Sequence, residues 1–144
     1  MRHILLTILF GALCACASVP SAPTSTADHV VIVRRFVDAF NAHDVNAMAA
    51  LITRDAQWLS IDGDKITIEA GSRAAIRGHM TSYFNSCPGC RSQVTKITTT
   101  ANRVSTVEVA TWQSLSGPKS QSTLAIYEFE GNLIRRVYYF PEER

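Results

Sequence analysis

Three stretches in the second half of the chain, residues 104–115, 121–130 and 133–140, are rich in Val, Ile, Thr and aromatic side chains. Only short turn strings separate them: Ser116-Gly117-Pro118-Lys119 and then Gly131-Asn132. Loops this short join antiparallel neighbours and no others, so three consecutive strands are committed to one meander. A Val/Thr-rich run at 94–100 adds a strand before them. One apolar face of such a sheet must be covered, and the first half of the chain supplies the cover. Residues 28–42 carry Val30, Val33, Phe36, Val37 and Phe40 at helical spacing. Asp44 can cap a short second helix that buries Val45, Met48, Leu51 and Ile52. Strands at 56–61 and 65–69 flank the turn Asp62-Gly63-Asp64. Ser72 can cap a third helix running to about residue 85, with Ile76, His79, Met80, Tyr83 and Phe84 on one face. The expected class is α+β: a curved antiparallel sheet wrapped around three helices.

A different composition precedes this domain. Met1-Arg2-His3 is a short positive start, and the apolar run 4–13 is too short to cross a bilayer as a helix but suits a signal peptide. It ends in Leu13-Cys14-Ala15-Cys16, which resembles a lipobox. Cys16 fits the lipidated position; Cys14 fits worse, because Leu13 is too large for the site before it. Ordinary cleavage at Ala15-Cys16-Ala17 stays open as an alternative, with lipidation at Cys16 preferred. Residues 1–15 then form a lipoprotein signal peptide, 16–27 the lipidated N-terminus and a Ser/Pro/Thr-rich tether, and 28–144 one domain. Ala17 in place of an aspartate sends the expected product to the outer membrane, facing the periplasm. The formal charge of +2 includes Arg2, and no basic stripe appears elsewhere, so nucleic acid is not an expected partner.

The strings RRFVDAFNAHDVNAMAALITRDAQWLS, GSRAAIRGHM and YEFEGNLIRRVYYF resemble the SnoaL-like family and its relative ketosteroid isomerase, over about residues 28–141. The resemblance implies the fold of nuclear transport factor 2, a cone enclosing a largely apolar pocket. It does not fix an activity, because the superfamily holds isomerases, cyclases, dehydratases and non-catalytic binding domains. The isomerases use a tyrosine, an aspartate base and a protonated aspartate, a worked case of carboxyl tuning. Phe36, Ser60 and Ala125 stand at the matching positions here, so that specific reaction is not expected.

Other chemistry is sparse. Cys87-Pro88-Gly89-Cys90 can be a redox pair, half a zinc site or a structural disulfide. Zinc wants four ligands, a redox thiol wants a helix N-terminus, and this motif follows a helix. A structural disulfide is therefore expected. Asp62-Gly63-Asp64 lacks the further ligands of a calcium loop and reads as a hairpin turn. No nucleotide, metalloprotease or serine-hydrolase motif is present, and neither metal nor cofactor is expected. His79 is either a pocket acid/base or a core histidine; His29 and His43 are expected in solvent.

With Gly117-Pro118 and Gly131-Asn132 as two-residue loops, Glu108 lies opposite Tyr127 and Tyr127 opposite Arg136. The next rows are Ala110, Ala125, Tyr138 and then Trp112, Thr123, Phe140. The family resemblance puts Ala125, Arg136, Tyr138 and Phe140 on the same inner face. Glu108 and His79 are the candidate acid/base pair, unless Glu108, Tyr127 and Arg136 form only a structural ion pair. The expected pocket adds Phe36, Phe40, Trp58, Ser60 and Tyr83 from the helices and first strand. The outer face would carry Val107, Val109, Leu124, Ile126, Val137 and Tyr139, apolar enough to expect a homodimer. The expected function is envelope-anchored binding of a small, partly apolar molecule. Alternatives are an isomerase, dehydratase or cyclase with another acid/base set, and an envelope protein-interaction module.

Overall fold

A computed structural model describes residues 25–140. The expected signal peptide, Cys14, Cys16, the expected tether up to residue 24 and residues 141–144 lie outside the described residues. Helix α1 (Thr26–Asn41) begins earlier than the periodicity predicts, inside the expected tether, because Ser25 and Asp28 cap each other. Ser25 Oγ accepts from the Asp28 amide at 3.2 Å and Asp28 Oδ2 accepts from the Ser25 amide at 3.1 Å. Asp44 Oδ1 accepts from the amides of Asn46 and Ala47 and starts α2 (Val45–Ala50). Strands β1 (Ile52–Asp62) and β2 (Lys65–Ala70) form a hairpin whose loop places Gly63 at φ +60°. Ser72 caps α3 (Arg73–Ser86), which buries Ile76, Met80 and Phe84. Then come β3 (Arg91–Thr100), β4 (Arg103–Ser114), β5 (Gly117–Glu130) and β6 (Leu133–Phe140).

The six strands form one curved sheet in the order β2-β1-β6-β5-β4-β3. It is not wholly antiparallel: β1 pairs with β6 in parallel. Parallel neighbours need a long connection, and here most of the domain, from β2 through β5, lies between them. Ile32, Val33 and Phe36 of α1, Met80 and Phe84 of α3, and Val104, Ala125, Tyr127, Ile134 and Val137 of the sheet form the core between helices and strands.

Two departures in the meander decide which side chains face that core. The β4–β5 hairpin turns on Leu115-Ser116, with Ser114 opposite Gly117, rather than on Gly117-Pro118. Ser114 Oγ donates to the Gly117 carbonyl at 2.8 Å and accepts from the Ser116 amide, and Gly117 takes φ +104°. Pro118 is tolerated within β5 because, among the described residues, β6 reaches only as far as Leu124 along it, leaving that side of Pro118 without a strand partner. Glu108 therefore faces Thr123, not Tyr127. The shift is even, so Glu108 and Tyr127 keep a common face.

The β5–β6 hairpin starts in the predicted register, Glu130 opposite Leu133 and Phe129 opposite Ile134. A bulge at Arg135 then makes Glu128 face Arg136 and Tyr127 face Val137. One extra residue reverses every later side chain. Arg136, Tyr138 and Phe140 go to the outer face, and Val137 and Tyr139 turn inward, against the expectation for all five. Arg135 itself is held outside by ion pairs with Asp55 and Glu130.

Candidate functional site

Glu108 is 3% exposed, in mid-β4, and its carboxylate collects hydroxyls from three other strands' worth of chain and its own. Tyr127 of β5 donates to Oε1 at 2.6 Å and Thr106, two residues back on β4, donates to the same oxygen at 2.8 Å. Ser92 of β3 and Tyr139 of β6 each donate to Oε2 at 3.1 Å. Burial, together with the charges of Tyr139 and Glu108, pushes the Tyr127 phenol well above its ordinary range. Burial and the Glu108 charge do the same to Tyr139. Both phenols therefore stay protonated as donors. Among the described residues no ion pair includes Glu108.

This carboxylate stands on the wall of a cavity of about 220 Å³ between the sheet and α3. Phe40, Trp58, Met80, Tyr83 and Tyr139 give it an apolar, largely aromatic lining; Ser92, Glu108, Gln121 and Thr123 are its polar points, with Ala110 between them. His79 also lines it but is exposed, at the rim rather than inward. Trp58 stacks on Tyr139 with ring centroids 4.9 Å apart, and Phe36 meets the edge of Tyr127 at 6.0 Å. Phe36 and Tyr127 border a void of about 20 Å³ shared with Trp58, Glu108 and Tyr139.

Of the predicted pocket residues, Phe40, Trp58, His79, Tyr83 and Glu108 line the cavity, with Phe36 and Tyr127 beside it. Ala125 lies on the inner face but is sealed in the core. Ser60 Oγ donates to Glu69 Oε1 at 2.6 Å and does not line the cavity. Trp112 borders a separate groove with Gly89, Pro118 and Lys119, further along β4. Tyr138 and Phe140 are outside, and so is Arg136, which donates to Glu128 at 2.7 Å and to Gln57 at 2.9 Å. Arg103 donates to the other Glu128 oxygen at 2.8 Å, so the predicted Glu108-Tyr127-Arg136 row is split into two networks on opposite faces. Tyr139 was missed because of the bulge. Its signal is Ile134-Arg135-Arg136-Val137: two charged residues between two apolar ones cannot be regular period-two alternation. Gln121 and Thr123 share the parity of Glu108 and were legible from the hairpin alone.

Of the two histidines expected in solvent, His29 is buried and His43 half-buried. His29 is 4% exposed, donates from Nε2 to the Gly131 carbonyl at 3.0 Å and stacks on Phe129. His43 stacks on Phe84 and accepts at Nε2 from Arg91 at 2.9 Å. Cys87 and Cys90 are joined in a disulfide, as expected, closing the turn between α3 and β3. The disulfide fixes the chain two residues before Ser92, whose backbone is clamped from the other side by Asn41.

A curved sheet with helices on its concave side and one aromatic cavity between them defines an α+β domain of the cystatin-like, nuclear-transport-factor-2-like type. The chain belongs to the SnoaL-like family, whose domain model matches residues 33–137. Its fold is similar to a cystatin-fold protein from Novosphingobium aromaticivorans, 19% identical, with a TM-score of 0.67 over 76% of this chain and 95% of that one. It is also similar to a protein with a ketosteroid isomerase-like fold from Catenulispora acidiphila, in complex with trimethylamine. That pair is 15% identical, with a TM-score of 0.67 over 77% of this chain and 85% of the other. An NTF2-like protein from Cytophaga hutchinsonii is 16% identical, with a TM-score of 0.62 over 80% of this chain and 96% of that one. No curated protein matches the chain significantly in sequence.

Proposed function

We propose that this SnoaL-like domain binds a small, partly apolar molecule in the cavity beside Glu108. The observation that carries this reading is a buried carboxylate on the wall of an otherwise mostly apolar cavity of about 220 Å³ that includes the rings of Phe40, Trp58, Tyr83 and Tyr139. Apolar walls with a few placed polar groups are the usual composition of a ligand site. The open space counts against the interaction-module reading, in which side chains fill the cone. Native mass spectrometry of the full-length chain from its own host should find a retained small molecule. Ala110→Trp, which fills the cavity, should lose it; a chain that never carries a ligand, or one that keeps it after Ala110→Trp, overturns the reading.

One observation favours catalysis as a second reading: Glu108 and His79 line the same cavity, one buried and one at its exposed rim. An isomerase, dehydratase or cyclase using this pair would convert the retained molecule, and Glu108→Gln or His79→Gln would stop the conversion. The leader supports attachment through Cys16 to the periplasmic side of the outer membrane. Cys16→Ser should move the protein from the membrane fraction to the soluble fraction; unchanged fractionation overturns the attachment.

A further inference from the structure

We propose that the occupant of this cavity is an organic cation carrying a substituted ammonium group, seated between the Glu108 carboxylate and the aromatic wall. The proposal rests on the reading of the cavity as a ligand site and names the chemistry of what fills it.

The argument begins with what Glu108 has and what it lacks. A carboxylate withdrawn from water needs both hydrogen bonds and a balancing charge. Four hydroxyls supply the bonds, two on each oxygen. None of them brings a charge. The basic residues nearest in the sheet pairing are Lys96, opposite the outward Val107, and Arg91, opposite Thr111. Arg91 donates to His43 and to the Cys90 carbonyl, and neither residue forms an ion pair among the described residues. Arg103 and Arg136 are on the opposite face and are committed to Glu128. Of the residues lining the cavity, only His79 has a side chain that can carry a positive charge, and it is exposed to solvent. Hydrogen bonding at Glu108 is complete while its charge is left for something in the cavity to balance.

The same four hydroxyls restrict which cation fits. A carboxylate offers about four acceptor directions, and all are taken. A primary ammonium or a guanidinium, which binds through N–H donors, would have to displace a hydroxyl. An ammonium whose nitrogen carries alkyl groups in place of hydrogens needs no acceptor: its charge is spread over methyl or methylene groups that pack against rings. Phe40, Trp58, Tyr83 and Tyr139 supply such rings, and Met80 a polarisable thioether. Aromatic side chains attract alkylammonium groups through the ring quadrupole. An anion is repelled by Glu108, and a neutral apolar molecule would leave its charge unbalanced. A metal ion is a poor occupant, since no three His, Cys, Asp or Glu side chains converge among the described residues. At about 220 Å³ the space is below the common range for drug-sized ligands, which selects a small molecule or the head of a longer one.

Two pairs of probes, matched in shape and differing in charge, test this by calorimetric titration of the full-length chain. They are choline with 3,3-dimethylbutan-1-ol, and phenyltrimethylammonium with tert-butylbenzene. The expected result is that at least one cation binds about tenfold or more tightly than its neutral partner. Glu108→Gln should bring the two members of that pair to nearly equal affinity. The comparison within the unaltered protein stands even where the variant does not fold. Equal binding of cation and neutral partner, or tighter binding of the neutral one, overturns the cation proposal and leaves the ligand-site reading in place. Binding of no probe also overturns it. In that case a molecule retained in native mass spectrometry keeps the ligand site, and an empty chain removes both.

Discussion

Two glutamates on neighbouring central strands show how differently one carboxylate can be held. Glu108 faces inward and is satisfied by four neutral hydroxyls; Glu128 faces outward between Arg103 and Arg136. The donors around Glu108 are not equivalent. Ser92 and Tyr139 line the open cavity, so bulk water can replace a lost hydroxyl there, whereas Tyr127 is 0% exposed behind Phe36 and borders only the void of about 20 Å³. Tyr127→Phe should therefore cost about 1–3 kcal/mol, the penalty for an unreplaced bond to a buried group, and Ser92→Ala less. Urea unfolding of the two variants checks the order, and equal costs would mean that water reaches both sides of the carboxylate. At Glu128, burial works against the charged form, but the hydrogen bonds and charges of Arg103 and Arg136 outweigh it and hold the carboxyl below its ordinary range. A carboxyl whose folded pKa is depressed adds stability above its unfolded value, about 4.3. That stability is lost as the pH falls through the lower folded value. The stability gap between the wild type and Glu128→Gln should be full at neutral pH and close only in acid. A gap independent of pH from neutral to acid would show that the arginines act there by packing.

At the scale of the element, hairpin geometry separates what could be read from the sequence from what could not. Ala101 occupies the β3–β4 turn at φ +45°, a conformation that suits glycine. Left-handed backbone costs an L-residue about 1–2 kcal/mol, and glycine gives back part of that gain through its freer unfolded chain. Ala101→Gly should stabilise the protein by about 0.5–1 kcal/mol in urea unfolding; a loss would mean that Ala101 makes a contact worth more than the strain. The helices were legible because Asp44 and Ser72 announce two of their starts and the apolar spacing fixes their buried faces; the Ser25 cap that starts α1 lay inside the stretch read as tether. The adjacency of β4, β5 and β6 was legible from their short turns, and the face of Glu108 because the error at the Leu115-Ser116 turn was even. The pocket wall contributed by β6 was not read correctly, because one bulged residue, Arg135, inverts the strand after it. Nothing in the turn Gly131-Asn132 reports that bulge; only the charged pair between Ile134 and Val137 does. The parallel pairing of β1 with β6 was also beyond reach, since it joins segments far apart in sequence that no local pattern links.

For the whole molecule, the bulge also redraws the outer face on which association would depend. Inward rotation of Val137 and Tyr139 brings Arg136, Tyr138 and Phe140 out beside Ile126 and Leu124. One row across the sheet is Leu59-Tyr138-Ile126-Ser105, and the next contains Phe140, Leu124 and Val107. Leu124 is 42% exposed, and at the sheet edge Ile68 is 55% and Ile66 64% exposed. The helices cover the concave side alone, so this surface, buried at Leu59 but half-exposed at Val107, Ile126, Tyr138 and Phe140, faces solvent in a single copy. The Gln57-Arg136-Glu128-Arg103 row runs along one side of it as a polar border. An apolar centre beside a charged rim is the anatomy of a protein interface, and a sheet face paired with itself about a two-fold axis satisfies both copies at once. We therefore expect a homodimer through the outer face, with both cavities on the far sides of the two sheets. Ile126→Arg places a charge in the middle of the patch, on the face away from Glu108. Sedimentation at micromolar concentration should show a dimer for the wild type and a monomer for Ile126→Arg, with the melting temperature lowered only by the lost association. A strict monomer for the wild type, or a dimer indifferent to Ile126→Arg, would show that this face is not the interface.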